Sequence, residues 1–361
     1  MLEMQLRQLL PKGAQYTKIE TIQSLWSGYG EISRYAIDDL HMPHLANCND
    51  ASINSKQLPS TLIVKYIHPP ATSVHPKGWN TSTSHQRKLS SYVNEWQFYR
   101  WYAEIANDVN LAVSSTYSKV PQYYGGYCPD KAHQNFNACL LMEDLDAVGF
   151  VGRANMIDKP VANHSTIMAG ITWLANFHAV FLQHEITKVW KIGTYWHLAT
   201  RPDEWKAMPE SALKHAASRI DKTLNAAKYQ TLVHGDAKLA NFCFKVSTDH
   251  SEPQLAAVDF QYVGQGAGTK DLVYFLGSCL YHDDLARYFS GYVDAYFAAL
   301  STSLENLKPS NIDVNALEQE WRALIPFAFA DFERFLIGWS PRHAKRCAFS
   351  AEQTVSALQQ L

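Results

Sequence analysis

The segment Leu232-Val-His-Gly-Asp-Ala-Lys-Leu-Ala-Asn-Phe-Cys-Phe244, followed by Ala257-Val-Asp-Phe-Gln261, constrains this chain more than any other feature. Each half sets polar side chains inside or beside an apolar run, which is how a strand delivers reactive groups to a site. Asp236 and Asn241 lie five positions apart, so one short loop can aim both at a single point. Asp259 ends the second apolar run, and a hairpin-like pairing of the two runs would set it beside Asn241. Asp236, Lys238, Asn241 and Asp259 are the residue types of phosphoryl transfer: a carboxylate for an acceptor hydroxyl, a cation for phosphate, and two oxygen ligands for Mg²⁺. Turn capping by Asp236 and Asn241 would explain either half alone; the two halves in this order argue for the chemistry.

At 361 residues the chain exceeds one ordinary core, and two domains are expected. It is 47% hydrophobic and 18% charged, which excludes wholesale disorder, and its net charge of −2 with no dense basic block speaks against nucleic acid as a partner. The six cysteines, at 48, 128, 139, 243, 279 and 347, form no Cys-x-x-Cys pair and read as free thiols in a reducing compartment. Met1 to Leu10 reads as a short amphipathic helix rather than a signal peptide, and no run is long enough to span a bilayer. Cytoplasmic localisation and no membrane partner follow as expectations.

The first third is strand-rich. Ile19 to Trp26 and Glu31 to Ile37 alternate around Ser27-Gly-Tyr-Gly30, as two strands joined by a glycine turn would. His41 to Ser60 and His68 to Ser84 read as a surface excursion and a loop. Between them Thr61 to Ile67 is an apolar, β-branched strand carrying one lysine, Lys65. Leu89, Val93, Trp96, Tyr99, Ala103 and Ala106 recur at helical spacing and predict a helix over 86–106 with Glu95 on it. A buried lysine needs a counter-charge; Glu95 is the first choice, Glu104 near the helix end the second, and a lysine snorkelling from an edge strand the alternative. Gln122 to Cys128 and Ala138 to Glu143 predict two more strands, split by a turn at Pro129. Beyond Ala147 the pattern is mostly helical, with helices expected over 166–183, 209–227 and from Thr269 onward. The expected domains are a β-rich N-terminal lobe (1–142), a hinge (143–148) and a helical C-terminal lobe (149–361).

With these residues in place, the chain resembles the aminoglycoside phosphotransferase and choline kinase-like branch of the protein-kinase fold, with the ecdysteroid kinase-like group closest. The resemblance implies an α+β, protein-kinase-like two-lobe fold, ATP and Mg²⁺ as cofactors, and a small-molecule hydroxyl acceptor as partner. It implies Asp236 as catalytic base, His234 and Lys238 beside it in the catalytic set, and Asn241 and Asp259 as metal ligands. Lys65 would pair with the nucleotide phosphates, oriented by Glu95, while Gly28 and Gly30 occupy the place of the glycine-rich nucleotide loop. Glu143, Asp144 and Leu145 resemble the hinge, where backbone groups would bind adenine and side-chain identity should matter little. Leu174-Ala-Asn-Phe-His-Ala179 resembles the helix behind the catalytic loop, with His178 a core residue rather than a catalyst. Asp271, in the first turn of a helix, would brace the catalytic loop; simple capping is the alternative.

Eleven residues separate Asp259 from Asp271, too few for a peptide-presenting activation segment, and Asp259-Phe-Gln261 stands where protein kinases have Asp-Phe-Gly. A small-molecule acceptor is therefore expected over a protein substrate. The aromatic and acidic segment Phe327, Phe329, Asp331, Phe332, Glu333, Phe335 and Trp339 is a candidate acceptor surface for a hydroxylated or cationic compound, with helix core as the competing account. A catalytically silent nucleotide-binding pseudokinase is the rival class; it would have lost the base, a metal ligand or the strand lysine, and all are present.

Overall fold

A computed structural model describes residues 1–38, 59–70, 82–112, 118–129, 136–153, 163–245, 253–308 and 312–361. Cys48 and most of the two expected loops, His41 to Ser60 and His68 to Ser84, lie outside the described residues. The chain divides into two compact units, Met1–Ile105 with Val120–Val151, and Ala106–Lys119 with Gly152–Leu361.

The first unit is built on a five-stranded antiparallel sheet in the order β1-β2-β3-β5-β4. Its elements are α1 (Leu2–Leu9), β1 (Gln15–Ser24), β2 (Gly30–Asp38), β3 (Thr61–Ile67), α2 (Ser82–Trp101), the start of α3 (Ala103–Ala112), β4 (Tyr123–Tyr127) and β5 (Ala138–Glu143). β1 is an edge strand, almost wholly exposed and twice irregular in its pairing with β2. Its charged and polar side chains blunt that edge against further pairing. β3 is central. Its Leu62 and Val64 join Leu6, Leu10, Tyr35, Ile37, Cys139 and Leu141 in one core cluster. Because side chains alternate across a strand, Lys65 points away from the face of Val64. On α2, Leu89, Tyr92, Glu95 and Tyr99 are buried at spacings of three and four, so Glu95 belongs to the inward stripe. The helix expected over 86–106 starts earlier, at Ser82, and is interrupted at Tyr102 before α3.

The second unit is mostly helical. After β6 (Gly152–Arg153) come α4 (His164–Val180), α5 (Pro202–Ala207), α6 (Ala212–Asn225), β7 (Thr231–Val233), β8 (Phe242–Lys245), β9 (Gln254–Ala257) and β10 (Gly264–Gly266). Then follow α7 (Thr269–Cys279), α8 (His282–Leu307), α9 (Val314–Ala323), α10 (Ile325–Trp339) and α11 (Ala348–Gln360). The Asn163 side chain caps α4 by accepting from Thr166 N–H, and Ser211 caps α6 in the same way. α4 is apolar nearly all round and buried along most of its length, as the central helix of a large unit must be. Two small sheets frame the loop 234–241: β7 pairs with β10, and β6-β8-β9 form the other. The expected α+β class is observed: a β-sheet N-terminal region followed by a mostly helical one. No helix among the described residues is long and apolar enough to cross a membrane. Cys128, Cys139, Cys243, Cys279 and Cys347 are free thiols.

Candidate functional site

In the first unit, Lys65 is 2% exposed and Glu95 1%. The Lys65 ammonium donates to both Glu95 carboxylate oxygens, at 2.9 and 2.7 Å. The central place of β3 removes the edge-strand alternative. Glu104, the second choice, lies exposed on α3. The glycine turn between β1 and β2 is a short 3-10 turn, Trp26–Gly28, with Ser27 and Gly28 both left-handed. Gly28 has open space where a side chain would project, whereas a Cβ on Gly30 would meet the Tyr66 carbonyl oxygen at 2.0 Å. Sheet packing therefore demands the second glycine, and at the first it is the left-handed backbone that favours one.

Glu143, Asp144 and Leu145 follow directly on β5, and all three are buried. Here the expectation that side-chain identity matters little is corrected for Asp144. Its carboxylate accepts from Arg34 of β2 at 2.8 and 3.3 Å, and from the Asp146 N–H at 3.2 Å. Arg34 also bridges to Asp146 at 2.5 Å, so these acids lock the segment to the sheet. Glu143 closes a reciprocal pair with Gln122: its N–H donates to the Gln122 carbonyl, and its carboxylate accepts from the Gln122 N–H.

In the second unit, the 234–241 loop and the β8–β9 hairpin assemble the rest. Phe242 pairs with Ala257, and the Val258 N–H donates to the Asn241 carbonyl at 2.9 Å. Asn241 and Asp259 thus sit on adjacent strand ends. Asp236 is 5% exposed and receives three side-chain donors: Lys238 at 3.0 Å, Asn241 Nδ2 at 3.1 Å and the Tyr274 hydroxyl at 2.9 Å. Asn241 Nδ2 also donates to the Asp236 carbonyl at 2.8 Å. With the amide hydrogens committed to Asp236, Asn241 Oδ1 is left as an acceptor. Asp259 is left-handed at φ 68°, a conformation Asp tolerates better than most residues, and Gln261 donates to its Oδ1 at 2.5 Å. Burial opposes the charge on Lys238, but Asp236 and Asp259 together raise its pKa above the ordinary lysine value.

His234 is fully buried, and both ring nitrogens are in use. Its Nδ1 accepts from the Asp236 N–H at 3.2 Å, so Nε2 carries the proton and donates to the Val258 carbonyl at 3.0 Å. Through these contacts His234 ties the Asp236 backbone to Val258, a supporting place within the catalytic set. Asp271, in the first turn of α7, accepts from the backbone N–H groups of His234 at 2.5 Å and Gly235 at 2.9 Å, and from His178 at 3.2 Å. His178 in turn accepts from Tyr296 at 2.7 Å. Of the two roles open to Asp271, these contacts are those of a brace.

Gly235 is required twice over. Its φ is +79°, and an added Cβ would meet the Tyr262 carbonyl oxygen at 2.0 Å. We expect Gly235→Ala to destabilise the protein by about 2–5 kcal/mol, from left-handed strain plus overpacking. The measurement is the shift in urea midpoint; a shift near zero would show that the loop relaxes freely.

On α10 the helix-core account of the aromatic and acidic segment is the one observed. Phe327, Phe329, Phe332 and Phe335 are buried. Asp331 is paired with Arg334 at 2.8 Å and Glu333 with Arg346 at 2.7 Å, so neither acid is left for a cationic ligand. What borders Asp236 instead is Tyr274, with the Tyr195 hydroxyl 3.3 Å from that of Tyr274. Burial, and secondarily Asp236, pushes the Tyr274 pKa well above the usual phenol range, so it stays a donor. Tyr274 was detectable in principle: it lies three residues after Asp271, on the same helix face.

Oxygen donors at Asn241 and Asp259 are the hard ligands that Mg²⁺ takes. Among the described residues no group of three or more His, Cys, Asp or Glu side chains could hold a metal by itself. A metal here would therefore take most of its shell from substrate phosphate and water, as Mg²⁺ does in phosphoryl-transfer sites.

Residues 195–309 match the model of the ecdysteroid kinase-like family. That span contains Asp236, Lys238, Asn241, Asp259, Asp271 and Tyr274. No curated protein matches the sequence. Among solved structures, the chain is similar to the amicoumacin kinase hAmiN in complex with AMP-PNP, Ca²⁺ and Ami (10% identity, 95% of this chain and 88% of that one, TM-score 0.47). It is also similar to a choline kinase from Cryptosporidium parvum Iowa II (9% identity, 98% and 93%, TM-score 0.45). A third is a Plasmodium vivax ethanolamine kinase (9% identity, 96% and 82%, TM-score 0.42). The resemblance read from the catalytic segments thus has its counterpart in these matches.

Proposed function

We propose that this protein is an ATP-dependent small-molecule kinase that transfers the γ-phosphoryl group to an acceptor hydroxyl. The observation that carries the reading is the coordination of Asp236: a buried carboxylate held by Lys238, Asn241 and Tyr274 on a loop fixed from behind by Asp271. Groups so constrained are pre-positioned, and phosphoryl transfer relies on positioning and charge stabilisation more than on covalent chemistry.

In this reading Asp236 orients the acceptor hydroxyl and accepts its proton. Lys238 carries positive charge toward the transferred group. Asn241 Oδ1 and Asp259 would hold Mg²⁺, which, when bound with ATP, neutralises charge on the phosphates. Lys65, oriented by Glu95, would pair with nucleotide phosphates, and the backbone of 143–145 would receive adenine. The short connection between Asp259 and Asp271 favours a small acceptor over a peptide. The protein would act in the cytoplasm on a soluble metabolite.

The test is acceptor-dependent ADP release from purified protein, ATP and Mg²⁺ across a panel of hydroxyl compounds, with ATP binding followed by thermal shift. ADP release that depends on an acceptor and vanishes with EDTA is expected. ATP binding without turnover of any compound would favour a silent nucleotide-binding module, and labelled phosphate on proteins would favour a protein kinase.

A further inference from the structure

Lys345 is a second cation near Asp236 that the scheme above does not use. It lies in Ser340-Pro-Arg-His-Ala-Lys-Arg-Cys347, the connection from α10 to α11, which carries three Lys or Arg residues and a histidine and no acid. Its ammonium sits 4.1 Å from the ring centre of Tyr274, whose hydroxyl is hydrogen-bonded to Asp236, and 5.7 Å from that of Phe332.

Among the described residues the Lys345 ammonium makes no hydrogen bond and no salt bridge. Its flanking basic neighbour Arg346 is neutralised by Glu333, so the arrangement is not a shortage of acids nearby but an ammonium left aside from them. Ring faces alone leave its N–H donors unused. Asp236 is the carboxylate whose field it feels, and Asp236 already takes three donors. Lys238 has both Asp236 and Asp259 as counter-charges, whereas Lys345 has the field of Asp236 alone, a carboxylate already shared with Lys238. Half-buried charges of one sign favour a ligand of the other and repel their own kind. Beside them lie the partly buried rings of Tyr195 and Trp339, which pack against Phe335 of the core at 5.3 and 5.4 Å.

We infer that the acceptor is an amphiphilic alcohol bearing an anionic group, a carboxylate, sulfate or phosphate, and that Lys345 binds that group beside Asp236. This deepens the proposed kinase activity and rests on it for the word acceptor. Burial pulls the Lys345 pKa down to about 8, with Asp236 raising it, Lys238 lowering it and the Cys279 thiol, itself neutral, contributing least. The group is thus a cation at neutral pH and loses its charge as pH rises through that value.

The experiment uses matched alcohols on aliphatic, phenyl and fused-ring scaffolds, each as carboxylate, neutral carboxamide and amine. Transfer from ATP is followed as ADP release, and binding without ATP by calorimetry, for wild type, Lys345→Gln and Lys345→Arg. The wild type should prefer carboxylate over carboxamide by about tenfold or more in kcat/KM and in affinity, with the amines poorest. Lys345→Gln should bring that ratio to about one through KM, and Lys345→Arg should restore most of it. The preference should also fade as pH passes about 8 upward. Equal binding of the three charge classes, or a preference that survives Lys345→Gln, overturns the anion site whatever the transfer assay shows. A Lys345-dependent preference in binding with no transfer to any compound supports the anion site and overturns the kinase activity instead.

Discussion

Asp236→Asn should lower acceptor-dependent phosphoryl transfer by about 10²–10⁴-fold, the contribution of a positioned general base. The substitution is close to isosteric, so the loop should keep its course. Asp271 still accepts from the His234 and Gly235 N–H groups, and His234 Nδ1 still accepts from the residue-236 N–H. The new amide oxygen can still receive Tyr274 or Lys238, but an amide cannot take a proton from a hydroxyl near neutral pH. Binding and chemistry should therefore separate: a thermal shift with ATP like that of wild type, and kcat reduced. Asp271→Asn strikes the same loop from behind. It leaves one backbone N–H of the pair without its carboxylate acceptor, so it should lose stability as well as rate. ADP release by Asp236→Asn at the wild-type rate would remove Asp236 as the base, since no other carboxylate in the loop 234–241 could replace it.

Much of the second-unit site could be read from spacing because its geometry is local. Asp236 and Asn241 share one short loop, and Asn241 and Asp259 are neighbours through one hairpin, so the polypeptide alone sets their separation. Lys65 and Glu95 are distant in sequence, yet a lone lysine in an apolar strand demands a buried acid, and Glu95 is the only acid on the central part of the following helix. Lys345 escaped this reasoning: it lies in an irregular connection with no periodicity, and its neighbour Tyr274 comes from another helix. The aromatic run from Phe327 to Trp339 stayed open between core and acceptor surface for the opposite reason. It has a strong period, but periodicity distinguishes inside from outside and not core from cleft. The competing partners of its acids, Arg334 three residues on and Arg346 past the helix end, decide the matter. At the hinge-like segment, Arg34 is what turns Asp144 into a structural residue, and nothing near Asp144 in sequence signals it.

Lys65→Met should cost the first unit about 3–5 kcal/mol, the loss expected when one partner of a buried ion pair is removed. The Glu95 carboxylate, 1% exposed, would lose the two N–H donors it receives from Lys65. The double substitution Lys65→Met with Glu95→Leu removes both charges and fills the space with apolar atoms. A buried pair is usually near neutral for stability once its desolvation is counted, so the double variant should return to within about 1–2 kcal/mol of wild type. Stability and nucleotide binding then part company. If Lys65 binds phosphate, the double variant stays folded but loses the ATP-induced thermal shift, because its hydrophobic replacement has no donor for an anion. Urea denaturation of the wild type, both single variants and the double variant measures the coupling between the two residues. ATP titration of the double variant reads the function. A restored fold that still binds ATP at wild-type affinity would leave the pair a structural element alone; a double variant as unstable as Lys65→Met would mean that packing around β3, rather than the uncompensated charge, sets the loss.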